Sequence, residues 1–343
     1  MWAKINSVVC ALALLFAWCV PARAADPAAA DLPTRIELHP IPTLTLSDQQ
    51  FLVGEASFVG RSGAGPDAAT GKPVTIAGML RLPRGSGKFP VVVLVHGSGG
   101  PAAGGERWAR ELTEMGIASF MLDGFSGRGL TSTNSNQALL GRTNLILDAY
   151  RALDVLAKHP LVDPKRIALM GFSRGGQTTL YASLARFHKM WNRSGIGYAA
   201  YVPFYPDCKT TFVGDTETTG APIRIFHGEA DDYNPAAPCA AFVGRLKAAG
   251  RDAAITLYPG AHHAFDNPHG AAKPTVAPAS QSVRACTIVE QAGGVLVEAG
   301  SGAPFTYANA CVQLGPHLGY DPAATQASTK AVKDFLLGVL KPS

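Results

Sequence analysis

The segment Gly171-Phe172-Ser173-Arg174-Gly175 fits the pattern Gly-x-Ser-x-Gly. In that pattern a sharp strand-to-helix turn lifts a serine hydroxyl clear of a sheet edge, where it can attack an acyl carbon. A hydroxyl is a weak nucleophile at neutral pH, so it needs a base to take its proton and a carboxylate to orient that base. Both types follow in the order Ser, Asp, His. PIRIFHGEADD ends in Asp231 and Asp232, and AITLYPGAHHAF carries His262 and His263. Within each pair the chain leaves the choice open, since one neighbour can be a turn carboxylate or a packing imidazole. Attack on a carbonyl also needs donors for the oxygen that becomes negative. One is the N–H of Arg174, at a helix start. The other is the N–H of Ser98, with Gly97 second, in His96-Gly97-Ser98-Gly99-Gly100.

These groups need a scaffold that brings loops together. KFPVVVLVHG (88–97), IASFMLDG (117–124), KRIALMGFS (165–173), GIGYAAYVPFYP (195–206), PIRIFHGEADD (222–232) and AAITLYPG (253–260) are apolar, β-branched or aromatic runs. Such runs mark strands buried on both faces of a parallel sheet. Helical spacing occupies 105–116, 144–160, 175–189, 238–250 and 321–340 between and after them. The alternation predicts an α/β fold, with a mostly parallel central sheet, helices on both faces, and functional loops beyond the strand carboxyl ends. FLVGEASFVGR (51–61) and VTIAGMLRLP (74–83) read as two further strands. Residues 25–50, rich in Ala and Pro, read as an irregular linker, so the domain spans 51–343. Segment 268–318 breaks the rhythm and reads as an excursion with a hairpin around Gly293-Gly294, not as a second domain.

Residues 1–24 have a basic Lys4, an apolar run from Ile5 to Val20, and Ala22-Arg23-Ala24, the form of a cleaved secretory signal. Bulky Trp18 before Cys19 argues against lipid attachment. Cleavage after Ala24 would take the formal charge from +5 to +3. No later run is long and apolar enough to anchor the chain in a membrane. No basic block suggests nucleic acid, and nothing speaks to oligomeric state. Cys208, Cys239, Cys286 and Cys311 remain, an even number in an exported chain. Pairings Cys208–Cys239 and Cys286–Cys311 are expected, because each closes a local loop. The expected location is periplasm or medium. Adjacent His262 and His263 lack the spacing of a metal site, and the serine chemistry requires no metal or other cofactor.

VDPKRIALMGFSRGG, HGEADDYNPAAPC, YPGAHHAFDNP and the closing GYDPAATQASTKAVKDFL together resemble the dienelactone hydrolase family of α/β-hydrolases. The likeness runs from about residue 74 to the C-terminus. It implies the α/β-hydrolase fold and acyl-hydrolase chemistry, with Asp231 and His263 as the carboxylate and the base. Two positions depart from the family. Ser173 stands where dienelactone hydrolases have a cysteine, and Gly97 where they have a glutamate after the histidine. Both departures argue against dienelactone as the substrate.

The expected activity is hydrolysis of small or medium carboxylic esters or lactones, with a small-molecule ester as the sole partner. A peptidase or acyltransferase on the same scaffold is the nearest alternative, and a non-catalytic binding protein a more distant one. Arg128, in Asp123-Gly-Phe-Ser-Gly-Arg128, is a candidate for binding an acidic group. A salt bridge to Asp123 would be its structural use. Tyr233 and Trp108 are candidate pocket walls, and the polar loop to about Arg142 a candidate roof.

Overall fold

The computed structural model describes residues 35–54, 71–85, 87–101 and 103–342. The signal-like segment 1–24 lies outside these residues, as do 25–34 and 55–61.

The elements, in chain order, are β1 (Arg35–Thr45), α1 (Asp48–Val53), β2 (Lys72–Leu82), β3 (Phe89–Val95), α2 (Ala103–Glu114), β4 (Ala118–Asp123), α3 (Asn144–Leu156) and β5 (Val162–Phe172). There follow α4 (Arg174–Tyr181), α5 (Ala185–Trp191), β6 (Ala200–Phe204), β7 (Thr210–Thr211), β8 (Ile223–Gly228), α6 (Ala236–Ala248) and β9 (Ala253–Tyr258). Short strands β10 (Thr275–Val276), β11 (Gln281–Ser282), β12 (Ile288–Gln291), β13 (Val295–Glu298), β14 (Gln313–Leu314) and β15 (His317–Leu318) precede the closing α7 (Pro322–Leu340). Eight strands form one sheet in the order β1-β2-β4-β3-β5-β6-β8-β9. The first two pairings are antiparallel (β1 with β2, β2 with β4), and every pairing from β4 to β9 is parallel.

The sheet is covered on both sides, and β3 shows why its sequence is apolar throughout. Val91, Val93 and Val95 belong to one core with Leu145, Phe187 and Trp191, whereas Val92 and Leu94 belong to another with Trp108, Leu112 and Leu336. Side chains alternate across a strand, so a strand covered on both faces needs apolar residues at every position.

Residues 35–50 correct the linker reading. β1 pairs with β2 over its whole length, Arg35 opposite Leu82 through Thr45 opposite Lys72. Its Pro40 and Pro42 look like breakers in sequence, yet proline is tolerated on an edge strand. Phe51–Val53 also differ from expectation: they end α1, whose N-terminus is fixed by a capping box between Ser47 and Gln50. The helix expected over 175–189 is two helices. Between them Ser183 O accepts from Thr219 N (2.8 Å) and Leu184 bridges Thr218, which pulls the chain out of helical pairing.

The excursion has two-stranded ladders β10–β15 and β11–β14 and the hairpin β12–β13, to which β7 adds. Gly293 and Gly294 turn the hairpin with φ of 76° and 70°. Both disulfides are present. Cys208–Cys239 joins the chain after β6 to α6, and Cys286–Cys311 closes the excursion. No helix of the described residues is long and apolar enough to cross a membrane.

Arg128 is a clamp of this fold and not a substrate group. Its guanidinium grips Asp148 with two hydrogen bonds of 2.7 and 2.9 Å. It also donates to Gly124 O, Leu44 O and Thr45 Oγ1, so it fastens β1 to α3 and to the chain beyond β4. Asp123 instead accepts from the N–H groups of Phe125 and Ser126. Removing one partner of a buried ion pair costs about 3–5 kcal/mol. We therefore expect Arg128→Ala to lower the unfolding free energy by an amount of that order, read as a lowered midpoint in a urea titration. An unchanged midpoint with a raised KM for acidic esters would restore the substrate-binding reading.

Candidate active site

Ser173 sits in the sharp turn between β5 and α4, with φ 54° and ψ −112°. Its N–H donates to Phe204 O (3.0 Å), and its carbonyl accepts from Gln177 N (2.8 Å). The turn closes only because its neighbours lack side chains. A Cβ on Gly175 would stand 2.1 Å from Val95 O, and one on Gly176 would stand 2.3 Å from Phe204 O. Strain gathers at this site: Ser173, Tyr205 and Ala264 are three of the four non-glycine residues at positive φ among those described.

Asp231 follows β8 and His263 follows β9, both beyond strand carboxyl ends. Asp231 Oδ1 accepts from the N–H groups of Tyr233 (2.9 Å) and Asn234 (2.8 Å), which aims Oδ2 at the imidazole. His263 Nδ1–H donates to that oxygen at 2.8 Å. The remaining ring nitrogen, Nε2, then accepts from Ser173 Oγ–H at 2.9 Å. Asp231, His263 and the serine thus form one continuous hydrogen-bonded chain, with the first two buried. The rings of Tyr205 and Tyr233 stand edge-on to the imidazole at 4.8 and 4.5 Å and fix its plane.

The neighbours of these two residues are employed elsewhere. Asp232 accepts from His317 N and Nδ1, both at 2.8 Å, and from Arg284, and so anchors the excursion. Those donors hold its pKa below the ordinary carboxylate value despite partial burial, which acts the other way. A Cβ on Gly319 would stand 3.5 Å from His262 Cβ, and the His262 ring lies 6.1 Å from that of His317. The excursion reaches the imidazole loop as well, since His263 bridges Leu318 and its carbonyl accepts from Gly319 N (3.1 Å).

The loop after β3 lies against the serine. A Cβ on Gly97 would stand 3.3 Å from Ser173 Cβ. Ser98 Oγ pairs with Gln137, and Ser98 O accepts from Thr133 N and Ser132 Oγ, which pins the loop while its N–H makes no hydrogen bond among the described residues. His96 supports this loop structurally. Its Nδ1–H donates to Gly97 O (2.8 Å) and its Nε2 accepts from Gly124 N (3.2 Å). Burial keeps this imidazole below its ordinary pKa, in keeping with the neutral form that pairing requires. The Arg174 N–H begins α4, where the helix end favours negative charge. Its side chain runs the other way, to Thr133, Gln137, Leu140 and Gly141.

A cavity of about 220 Å³ opens beside Ser173 and His263. Leu94, Met121, Leu122, Phe172, Tyr233 and Leu318 make its walls largely apolar. Tyr233 is thus a wall, as expected. Trp108 is not: it is core, its indole N–H donating to Asp266 Oδ2 (3.2 Å). From the polar loop Asn134 reaches the cavity, while Arg142 is held by Asp207, Thr210 and Tyr307. Sequence reasoning missed Gln137, Gln177, Tyr205 and Asp266. Polar residues in loops and ordinary helix positions show no periodic signal, and only their contacts reveal them.

The family model of the dienelactone hydrolase family matches residues 76–293. The chain belongs to the dienelactone hydrolase family. It is accordingly an enzyme of the carboxylic ester hydrolase class. One of the similar solved structures, the first below, shows the shared fold. A dienelactone hydrolase-like promiscuous phosphotriesterase from metagenomic libraries superposes with TM-score 0.53 at 17% identity, covering 89% of this chain and 98% of that one. A putative dienelactone hydrolase from Klebsiella pneumoniae gives 0.46 at 18%, covering 67% and 89%. A thermophilic esterase from Thermogutta terrifontis gives 0.46 at 18%, covering 57% and 82%. Among curated proteins no match is found.

The elbow of this family member has a direct test. Gly175→Ala forces a methyl onto Val95 O, and overpacking of this kind costs about 1–3 kcal/mol. A thermal melt followed by circular dichroism should show a clearly lowered midpoint. A wild-type midpoint would mean the turn has room that its geometry denies.

Proposed function

We propose that the chain hydrolyses small to medium carboxylic esters through an acyl-enzyme on Ser173. The observation that supports this most is the hydrogen-bonded chain from Asp231 through His263 to Ser173 Oγ, set against an apolar cavity. Ser173 Oγ attacks the ester carbonyl while its proton passes to His263 Nε2. The carbonyl π electrons move to oxygen, and the N–H groups of Ser98 and Arg174 receive the charge. Each such donor is worth roughly 3–4 kcal/mol of barrier in comparable sites. The tetrahedral species collapses, the alkoxide takes the proton back from His263, and the alcohol leaves. Water then repeats the sequence on the acyl-enzyme: its proton goes to His263, and Ser173 leaves with that proton as the acid departs.

Asp231 keeps the Nδ1–H tautomer and stabilises the imidazolium; it does not itself take the proton. The two disulfides and the signal-like N-terminus support export to the periplasm or the medium.

The test is turnover of p-nitrophenyl acetate and butyrate by the purified mature protein. Ser173→Ala should lose about 10⁶-fold and Asp231→Asn about 10⁴-fold in kcat, while Asp232→Asn loses far less. Full activity in Ser173→Ala, or equal losses at Asp231 and Asp232, would contradict the mechanism.

A further inference from the structure

Two cavities meet at the elbow, one apolar and one of mixed polarity, and Ser98, Ser173 and Tyr233 line both. The larger is the apolar one already described. The smaller, about 30 Å³, has Arg142, Arg174, Gln177 and Asn234 in its wall. A space of that size takes one or two water-sized groups, such as a hydroxyl or the oxygens of a carboxylate.

Its chemistry is one-sided. Gln177 is 4% exposed, yet its Nε2 has no hydrogen-bond partner. Arg142 is 3% exposed, and its Nε is likewise unpartnered although its other nitrogens reach Asp207, Thr210 and Tyr307. Asp207, the one acid in the wall, is therefore already engaged by Arg142. Arg174 bonds only to neutral oxygens, those of Thr133, Gln137, Leu140 and Gly141, so no paired carboxylate offsets its charge. Buried donors without acceptors are uncommon in folded proteins and call for a reason. Gln177 lies one helical turn beyond Ser173 and lines the same small cavity, so an acceptor held there lies beside the serine.

We propose that this small cavity is a subsite for one oxygen-bearing substituent of the substrate, a hydroxyl or a carboxylate carried on the carbon next to the reacting carbonyl. The apolar remainder of the ester then occupies the larger cavity. The subsite rests on the serine-hydrolase reading and narrows it to esters of oxygen-substituted acids. Such a site discriminates strongly, because the unsubstituted ester leaves its buried donors unpaired.

The experiment compares kcat/KM for methyl propanoate, methyl 2-hydroxypropanoate and monomethyl malonate, each divided by that ester's rate of alkaline hydrolysis. At least one oxygen-bearing ester should exceed methyl propanoate by about tenfold or more. The hydroxy ester alone would identify a neutral acceptor, and the half-ester alone an anion. Gln177→Met, which removes the free donor at nearly constant volume, should bring the ratio down to near one. Gln177→Leu should do the same, so a folding failure in either variant leaves the other to decide. Because the readout is a ratio, general loss of activity does not imitate the effect. Turnover of all three esters at a ratio near one in the wild type, or a ratio that survives both substitutions, would overturn the subsite and leave the hydrolase reading intact. No turnover of any of the three by folded protein would overturn both.

Discussion

A serine oxygen can stand above the sheet only if the chain turns from strand to helix within a residue, and that turn leaves no room for side chains at its flanks. Gly175 lies against Val95 O and Gly176 against Phe204 O, so the elbow touches the strands on both sides of it. The same contacts set the rest of the site. β3 runs beside β5, which brings the Gly97–Ser98 loop against the serine, and β6 on the other side leads into Tyr205, whose ring stands edge-on to His263. The strained backbone at Ser173 persists because its own N–H and C=O are both bonded to neighbouring segments.

The polar residues farther out explain why the loops hold still. Asp231 is aimed by two backbone N–H groups, while its neighbour Asp232 binds the excursion through His317 and Arg284. Two adjacent carboxylates thus do different work because one points in and the other out. The excursion is a wall of the site and not an ornament. It meets the imidazole loop at Leu318 and Gly319, contributes Ser280 to the cavity, and is closed on itself by Cys286–Cys311.

The legible parts were those whose residue types are dictated by burial or by backbone geometry. Strands β3 and β6 and the second half of β5 are buried and apolar at nearly every position, and the elbow must be glycine-rich, so Ser173 and the loops carrying Asp231 and His263 could be found from the chain alone. Choosing Asp231 over Asp232 needed the family resemblance, because nothing in the residue type separates them; only the direction of each carboxylate does. β1 was misread because Pro40 and Pro42 suggest a broken chain, whereas an edge strand accepts them. Arg128 was misassigned because a guanidinium near a strand end suits an acidic ligand or an internal carboxylate equally well. The deciding partner, Asp148, lies on α3, on the far side of the polar loop.

The central claim is that Ser173 is the nucleophile. It is tested most directly by treating the folded mature protein with a fluorophosphonate and mapping the modified peptide by mass spectrometry. The account predicts one adduct, on Ser173, that appears as esterase activity disappears and is absent from His263→Ala. Loss of activity with the adduct elsewhere, or sustained esterase activity with Ser173 fully modified, would contradict it.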